Sequence, residues 1–193
     1  MKQAIAKAFE ESILAKRMFL RDRLPDLINA IETIAAAFQR GNKLLLFGNG
    51  GSAADAQHLA AEFVNRFRME RPPLPAIALT TDTSALTSIA NDYDYSQIFA
   101  KQLIALGKKG DIAVAISTSG NAANVLAAIE VCRGLDITSI GLTGGNGGAM
   151  VGKVDHLLLV GAGGNTARIQ ETHILIGHVI CEMVDEKLFA PHS

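Results

Sequence analysis

Residues 45–62 read LLFGNGGSAADAQHLAAE, in which an apolar run leads through a glycine-rich loop into a helical pattern. The apolar run is typical of a strand that is buried on both faces of a parallel sheet. The loop at 48–52 can turn sharply and expose backbone N–H groups at the N-terminus of the next helix, where an anion is favoured. His58 and Glu62 are four positions apart and share one face of that helix. This stretch predicts a phosphate-binding loop beside a reactive pair of side chains.

Strand-like runs recur along the chain, most of them followed by a turn and a helical pattern. They lie at 43–47, 76–80, 112–116, 137–142 and 156–160. The alternation predicts an α/β fold in which a parallel five-stranded sheet lies between two layers of helices. Residues 2–40 predict two further helices, divided near Pro25 because proline disfavours helix in the residue before it. No linker-like segment interrupts the 193 residues, so we expect a single domain over 1–193.

Composition limits the classes of function. The chain has 18 Lys and Arg against 19 Asp and Glu, so it lacks the basic field that nucleic acid requires, and we expect no nucleic-acid partner. The run Arg66, Arg68, Arg71 predicts a solvated helix end. Cys132 and Cys181 form no CxxC motif and are expected in the core of a protein in a reducing compartment. Without a signal-like or membrane-spanning stretch, we expect a cytoplasmic protein.

The glycine loop also has a nucleotide interpretation. Gly48, Gly50 and Ala53 match the pattern G-x-G-x-x-G/A of dinucleotide-binding folds. Such folds place an acidic residue about 20 positions further on to hold the ribose. The nearest acid at a strand end is Asp82, 29 residues past Ala53. No GK[ST] sequence is present either. Both nucleotide interpretations are therefore disfavoured.

A second polar loop follows the strand at 112–116. Ser117, Thr118 and Ser119 offer hydroxyl groups next to the N-terminus of a predicted helix. A phosphate could be held there by hydroxyl and backbone donors without a lysine. The alternative is an ordinary serine cap of the helix. A third loop, 143–148, ends the strand at 137–142 and is the other candidate for the phosphate.

The last helical segment carries further polar side chains. Gln170 and His178 are two turns apart and about 80° apart around the helix, so both can face one site together with His58 and Glu62. His173 lies on the far side of Gln170 from His178 and is expected to pack or pair and not to bind the metal. Two imidazoles, a carboxylate and an amide are a plausible set of zinc ligands. Four protein ligands would fill a tetrahedral site, so either the coordination expands or Glu62 or Gln170 leaves when substrate binds.

Four segments carry a family resemblance, namely GNGGSAADAQH, TSIANDYDYSQIF, AISTSGN and ARIQETHILIGH. They resemble the bacterial sedoheptulose 7-phosphate isomerases, or phosphoheptose isomerases, of the sugar isomerase (SIS) domain family. The resemblance extends over nearly the whole chain. It implies a flavodoxin-like three-layer SIS fold, with extra helices in 1–40 that serve in oligomerisation. It also implies a homotetramer with active sites at subunit interfaces and one zinc ion per subunit.

The implied reaction converts sedoheptulose 7-phosphate to D-glycero-D-manno-heptose 7-phosphate through an enediol, in the biosynthesis of nucleotide-activated heptose. The implied catalytic residues are Glu62 and His178. The implied substrate contacts are Asn49, Gly50, Gly51, Ser52, Glu62, Asn91, Asp92, Ser117, Thr118, Ser119 and Gln170. The implied zinc ligands are His58, Glu62, Gln170 and His178. The chain departs from the family at Ala122, where members typically have a serine, and at Ala167, where some have an acid.

A relative within the same family suggests an alternative function. ERPPLPAIAL, LTSIAND and the ending EKLF resemble a regulator that binds the bacterial replication initiator protein. That regulator lacks counterparts of Glu62 and His178, and both residues are present here. A protein that only bound a partner would not need them, so the isomerase is the preferred interpretation and the regulator the second.

Overall fold

The computed structural model of the chain describes residues 1–161 and 165–190 and contains one five-stranded sheet. The strands are β1 (Leu44–Gly48), β2 (Ala76–Ala78), β3 (Ile112–Ser117), β4 (Thr138–Gly144) and β5 (His156–Val160). All neighbouring strands are parallel, in the order β2-β1-β3-β4-β5. This is the flavodoxin-like order, and it confirms the predicted sheet. Each strand lies within two residues of its predicted position.

Helices cover both faces of the sheet. The α-helices are α1 (Lys2–Gln39), α2 (Gly51–Val64), α3 (Thr83–Asp92), α4 (Ile98–Leu106), α5 (Ala123–Gly134) and α6 (Thr166–Phe189). Short 3₁₀ helices span Tyr95–Gln97 and Gly148–Met150. Leu44 and Leu46 of β1 face a core formed with α1, α2 and α6, whereas Leu45 and Phe47 face a core formed with α4 and α5. This alternation confirms the three-layer architecture.

The prediction of two helices in residues 2–40 is wrong, because α1 is continuous through Pro25. A proline inside a helix removes one backbone hydrogen bond and costs roughly 3 kcal/mol. Pro25 is exposed, so water can satisfy the carbonyl that loses its donor. Phe19 before the proline and Leu27 and Ile34 after it are buried in the same core. Packing on both sides of the proline therefore keeps the helix whole.

The other expectations from composition have mixed outcomes. Arg66 and Arg68 are exposed, but Arg71 is buried, so the prediction of a wholly solvated arginine run is wrong. Arg71 pairs with Asp185 on α6, and short-range sequence patterns cannot predict a pair so far apart in the chain. Cys132 and Cys181 are buried and unpaired with each other, which confirms them as core residues. Among the described helices, none combines the length and apolar character needed to span a bilayer.

Candidate active site

Two of the predicted polar loops start side by side at the carboxyl edge of the sheet. β1 ends at Gly48 and the adjacent β3 ends at Ser117, with Gly48 paired to Ile116. A Cβ added to Gly48 would lie 2.6 Å from the Ile116 carbonyl oxygen, so only glycine permits this approach. The register therefore brings the loops 48–52 and 117–121 together, as expected for ligand-binding loops of a parallel sheet.

A pair of asparagines joins the two loop regions. The Asn49 and Asn124 side chains exchange two amide hydrogen bonds, both 2.8 Å long. Tyr95 donates its hydroxyl proton to Asn49 Oδ1 at 3.2 Å, and Asn124 is buried. Asn49 is one of the predicted substrate contacts. The sequence does not predict the contacts of Asn124 and Tyr95 with Asn49, because these residues lie 75 and 46 positions from Asn49 and local patterns carry no signal for such contacts.

The serine loop leads directly into the N-terminus of α5. Ser119 Oγ accepts a hydrogen bond from the Asn121 backbone N–H at 3.2 Å, so the hydroxyl proton can point to a ligand. Ser117 is buried, Thr118 is half-buried and Ser119 is exposed. Ala122 occupies the N-cap of α5, where its methyl group cannot accept a hydrogen bond from the first turn. The helix N-terminus is therefore left without a side-chain cap.

The third loop packs against the serine loop. Asn121 Oδ1 accepts a hydrogen bond from Ala149 N at 2.9 Å, and Met150 N donates to the Gly120 carbonyl at 3.1 Å. Gly120 has a φ of 66°, and a Cβ there would lie 1.9 Å from the Gly147 carbonyl oxygen. Both the left-handed backbone and this contact require glycine. The loops after β3 and β4 are thus held in one fixed arrangement.

Three predicted catalytic and metal-binding residues meet between α2 and α6. His58 Nε2 lies 2.8 Å from His178 Nε2 and 3.4 Å from Glu62 Oε1. The His58 side chain is 49% exposed and that of Glu62 is 23% exposed, so the cluster is open to a ligand. The Phe67 ring stacks on His178 with a centroid separation of 5.4 Å. The cluster combines a carboxylate with two imidazoles that can accept and donate protons.

The meeting of these residues depends on a close approach of the two helices. A Cβ on Gly177 would lie 2.5 Å from Leu59 Cδ1, so α6 approaches α2 at the residues adjacent to His178 and His58. Nearer the loop, a Cβ on Gly51 would lie 2.5 Å from Gln170 Nε2. The Gln170 amide therefore rests on the glycine loop at the start of α2.

The remaining predicted contacts lie on α3. Asn91 and Asp92 are exposed, and Asn91 Nδ2 donates to Asp92 Oδ1 at 2.9 Å. Asp82, the acid considered for a ribose, is the N-cap of α3 and accepts a hydrogen bond from Ala85 N at 2.9 Å. Its carboxylate thus has a capping role.

Asp55 is a further carboxylate near the cluster that was not identified from the sequence. It lies on α2 one turn before His58. Partial burial raises the pKa of Asp55, and the nearby His58 opposes this increase. Within the described part of the chain, Asp55 Oδ2 has no hydrogen-bond partner.

The side chains of the cluster include the types of group that bind zinc in proteins. In residues 1–161 and 165–190, no three His, Cys, Asp or Glu side chains converge as tightly as a preformed metal site. His178 Nε2 and Glu62 Oε1 nonetheless lie within 3.4 Å of His58 Nε2, so the cluster supplies two imidazoles and a carboxylate. These are the usual nitrogen and oxygen ligands of zinc. The residues present therefore fit zinc by chemical type.

His173 is a buried histidine outside the cluster, which confirms the prediction that it packs. The residue is 1% exposed, and Nε2 donates to the Thr143 carbonyl at 3.1 Å. Burial lowers the pKa of His173 to about 4, because the charged imidazolium is poorly solvated there. Nδ1 has no partner among the described residues. The folded protein thus holds His173 neutral.

We expect His173 to make the fold acid-sensitive. Between pH 6.5 and about 4 the unfolded chain binds a proton at His173 and the folded chain does not, so the free energy of unfolding falls as pH is lowered. The loss should approach about 3 kcal/mol at pH 4, at roughly 1.4 kcal/mol per pKa unit. Denaturant unfolding of wild type and His173→Gln between pH 4.5 and 7.5 isolates this contribution. Glutamine keeps the donor to Thr143 but does not titrate. Equal pH slopes for the two proteins would contradict the prediction.

Comparison with known proteins places this architecture in a family. The model of the SIS domain matches residues 9–144. The chain is 54% identical to a phosphoheptose isomerase of Thermodesulfovibrio yellowstonii over 185 residues, covering 96% of this chain and 92% of the relative. It is 55% identical to phosphoheptose isomerase 2 of Campylobacter jejuni over 183 residues, covering 94% and 90%.

Solved structures agree with the sequence comparison. A phosphoheptose isomerase from Neisseria gonorrhoeae superposes with a TM-score of 0.90 at 45% identity, covering 96% of this chain and 98% of that one. The corresponding protein of Francisella tularensis gives a TM-score of 0.91 at 43% identity, covering 95% and 97%. On this identity and coverage, the chain belongs to the SIS domain family and, within it, to the phosphoheptose isomerases.

Proposed function

We propose that this protein is an aldose-ketose isomerase that converts sedoheptulose 7-phosphate to D-glycero-D-manno-heptose 7-phosphate. The observation that carries the proposal is the cluster of Glu62, His58 and His178, in which His58 lies 3.4 Å from Glu62 on α2 and 2.8 Å from His178 on α6. Similarity to phosphoheptose isomerases over more than nine-tenths of the chain supports the same assignment. The reaction serves the biosynthesis of nucleotide-activated heptose.

The proposed chemistry uses one carboxylate and one imidazole. Glu62 removes a proton from C1 of the ketose and returns one to C2, while His178 supplies a proton to O2 and removes one from O1. The intermediate between these transfers is a cis-enediol. A carboxylate and an imidazole that lie on one site can act as this acid-base pair. His58 lies within 3.4 Å of both and can hold their side chains in place.

We also propose that His58, Glu62, Gln170 and His178 hold one zinc ion per chain. The imidazole and carboxylate donors fit zinc, and the glutamine amide oxygen is the less usual member of the set. When bound, zinc would polarise the substrate carbonyl as a Lewis acid. Gln170 is included on the family resemblance, and its amide lies against Gly51 at the start of α2, seven residues before His58.

The sugar phosphate is assigned to the serine loop in this proposal, with the hydroxyl groups of Ser117, Thr118 and Ser119 as donors. The uncapped N-terminus of α5 adds a favourable dipole. The glycine loop, with Asn49, Gly50, Gly51 and Ser52, and the α3 residues Asn91 and Asp92 complete the proposed substrate contacts. Binding of the remote phosphate would orient the reacting carbons at Glu62.

We expect Ser119→Ala to raise KM for the phosphorylated sugar by about tenfold, the equivalent of one lost hydrogen bond to a charged group. Its kcat should change less, because the residue lies at the phosphate and not at the reacting carbons. Ala122→Ser is expected to lower KM, since it adds a hydroxyl at the N-cap of α5. Steady-state kinetics of both variants test the assignment. Unchanged KM in both variants would contradict this assignment and indicate that the loop at 144–148 binds the phosphate.

A homotetramer with active sites at subunit interfaces is the proposed assembly. Two i, i+4 rows of large apolar side chains are exposed on α1, one formed by Ile5, Phe9 and Ile13 and the other by Leu20, Leu24 and Ile28. Exposed apolar rows of this kind are typical of protein interfaces. The half-exposed cluster at His58 is also open to a second subunit. Sedimentation equilibrium of the purified protein measures the mass directly, and a monomer would contradict the proposal.

We place this reaction in the cytoplasm, and the two buried, unpaired cysteines agree with a reducing compartment. We propose no nucleic-acid partner, because the net charge is −1. The regulator that binds the replication initiator is not favoured, since the relatives reported above are all phosphoheptose isomerases and Glu62 and His178 are both present.

The proposed function is tested with purified protein and sedoheptulose 7-phosphate, following aldose formation with and without a chelator. We expect turnover that the chelator reduces and added zinc restores. A 7-carbon ketose without phosphate serves as the matched substrate control and should react poorly. Absence of aldose product under all conditions, including added zinc, would overturn the proposal.

A further inference from the structure

A buried ion pair links the segment after α2 to α6. The Arg71 side chain is 0% exposed and that of Asp185 is 3% exposed, with Arg71 Nε donating to Asp185 Oδ1 at 2.7 Å. Removing two charges from water carries a large penalty, and such pairs often give little net stability compared with apolar residues of similar size. A role besides stability is therefore worth testing for this pair.

The rest of the Arg71 guanidinium closes the C-terminal end of α2. Nη2 donates to the Glu62 carbonyl at 2.9 Å, and Nη1 donates to the Phe63 carbonyl at 2.8 Å and to the Asn65 carbonyl at 3.2 Å. The last carbonyls of a helix lack partners within the helix, and a cation there also matches the helix dipole. Arg71 thus fixes the backbone of the residue that carries the proposed base.

Asp185 connects this cap to the proposed proton donor. It lies seven residues, or about two turns, after His178 on α6, and so on the same helical face. The helices also touch where Gly177 meets Leu59. The separation between Glu62 and His178 is consequently set at two points, the Gly177 contact and the Arg71–Asp185 pair.

We propose that Arg71 and Asp185 form a positioning pair that holds Glu62 in register with His178 for proton transfer. The proposal rests on the isomerase function proposed above. Both side chains are buried, so they act through the helix backbones and not by touching substrate. A neighbouring pair provides a matched control: Arg68 and Glu182 connect the same segment and helix, but the Arg68 side chain is 70% exposed.

The test compares Arg71→Lys, Asp185→Asn and the double variant Arg71→Met/Asp185→Leu with wild type and Arg68→Gln. Lysine keeps the charge but cannot reach several carbonyls at once. The double variant removes both charges, so no buried charge is left unpaired and its Tm should exceed those of the single variants. Measurements are kcat, KM and Tm, with kinetics taken well below the Tm of each protein.

We expect kcat to fall roughly tenfold to a hundredfold in all three pair variants, the loss typical of a displacement of about 1 Å in a catalytic group. KM should stay within about twofold, because the phosphate contacts lie in another loop. The decisive result is a double variant that regains stability without regaining kcat. Arg68→Gln should match wild type in kcat.

Recovery of both Tm and kcat in the double variant would overturn the positioning role. A double variant that cannot fold would overturn it as well, since either result assigns the pair to stability alone. A similar loss of kcat in Arg68→Gln would also contradict it, because the exposed pair would then act in the same way. An inactive wild type would overturn the isomerase function and this proposal together. An active wild type with fully active pair variants would overturn the positioning pair alone.

Discussion

Replacing Glu62 with glutamine is expected to lower kcat by about 10² to 10⁴, the usual loss when a general base is removed. The carboxamide keeps the shape of the side chain but cannot take the carbon-bound proton. Glu62 Oε1 lies 3.4 Å from His58 Nε2, and the side chain is only partly exposed, so glutamine can occupy the same space. Steady-state kinetics with sedoheptulose 7-phosphate give the result.

Two controls separate the loss of the base from a loss of structure. Circular dichroism and the sedimentation mass should be the same for Glu62→Gln and wild type. Glu182→Gln changes a carboxylate on the facing helix α6 that pairs with Arg68 outside the cluster, and its kcat should be normal. Near-normal kcat in Glu62→Gln would remove the proposed role from this residue.

Replacing His58 with alanine is expected to reduce zinc from about one ion per chain to nearly none after dialysis. Loss of a group that merely supports a metal ligand already costs about 10- to 100-fold in affinity, so loss of a ligand should cost at least 100-fold. His58 Nε2 contacts two of the other proposed ligands, His178 at 2.8 Å and Glu62 at 3.4 Å. Its removal should therefore have the largest effect of the four proposed ligands.

Elemental analysis checks this result without any assay of activity. His173→Gln is the matched control, because His173 lies on the same helix as His178 but is buried against Thr143. It should retain the zinc content of wild type. Equal zinc in His58→Ala and wild type would move the metal site elsewhere in the protein.

Local patterns were sufficient for most of the fold. Strand-like runs predicted all five strands, and the most apolar of them became β1 and β3, which are buried along their whole length because helices cover both faces of the sheet. The pairing of His58 with Glu62 could also be predicted, since residues four apart on a helix always face the same way. His173 was correctly expected to pack, because its helical angle turns it away from His178.

The parallel sheet, its carboxyl-edge loops and the i, i+4 pair on α2 could be predicted, because each depends on residues within a few positions of one another. The contacts between α2 and α6 could not be predicted, because they depend on how distant segments pack. The approach of Gly177 to Leu59, which brings His178 to 2.8 Å from His58, joins residues about 120 positions apart. The local sequence predicts a solvent-exposed Arg71, because a run of arginines has the same pattern whether its members are hydrated or paired with a distant carboxylate. Tertiary packing brings Asp185 of α6 to Arg71. Tertiary packing also keeps α1 continuous through Pro25.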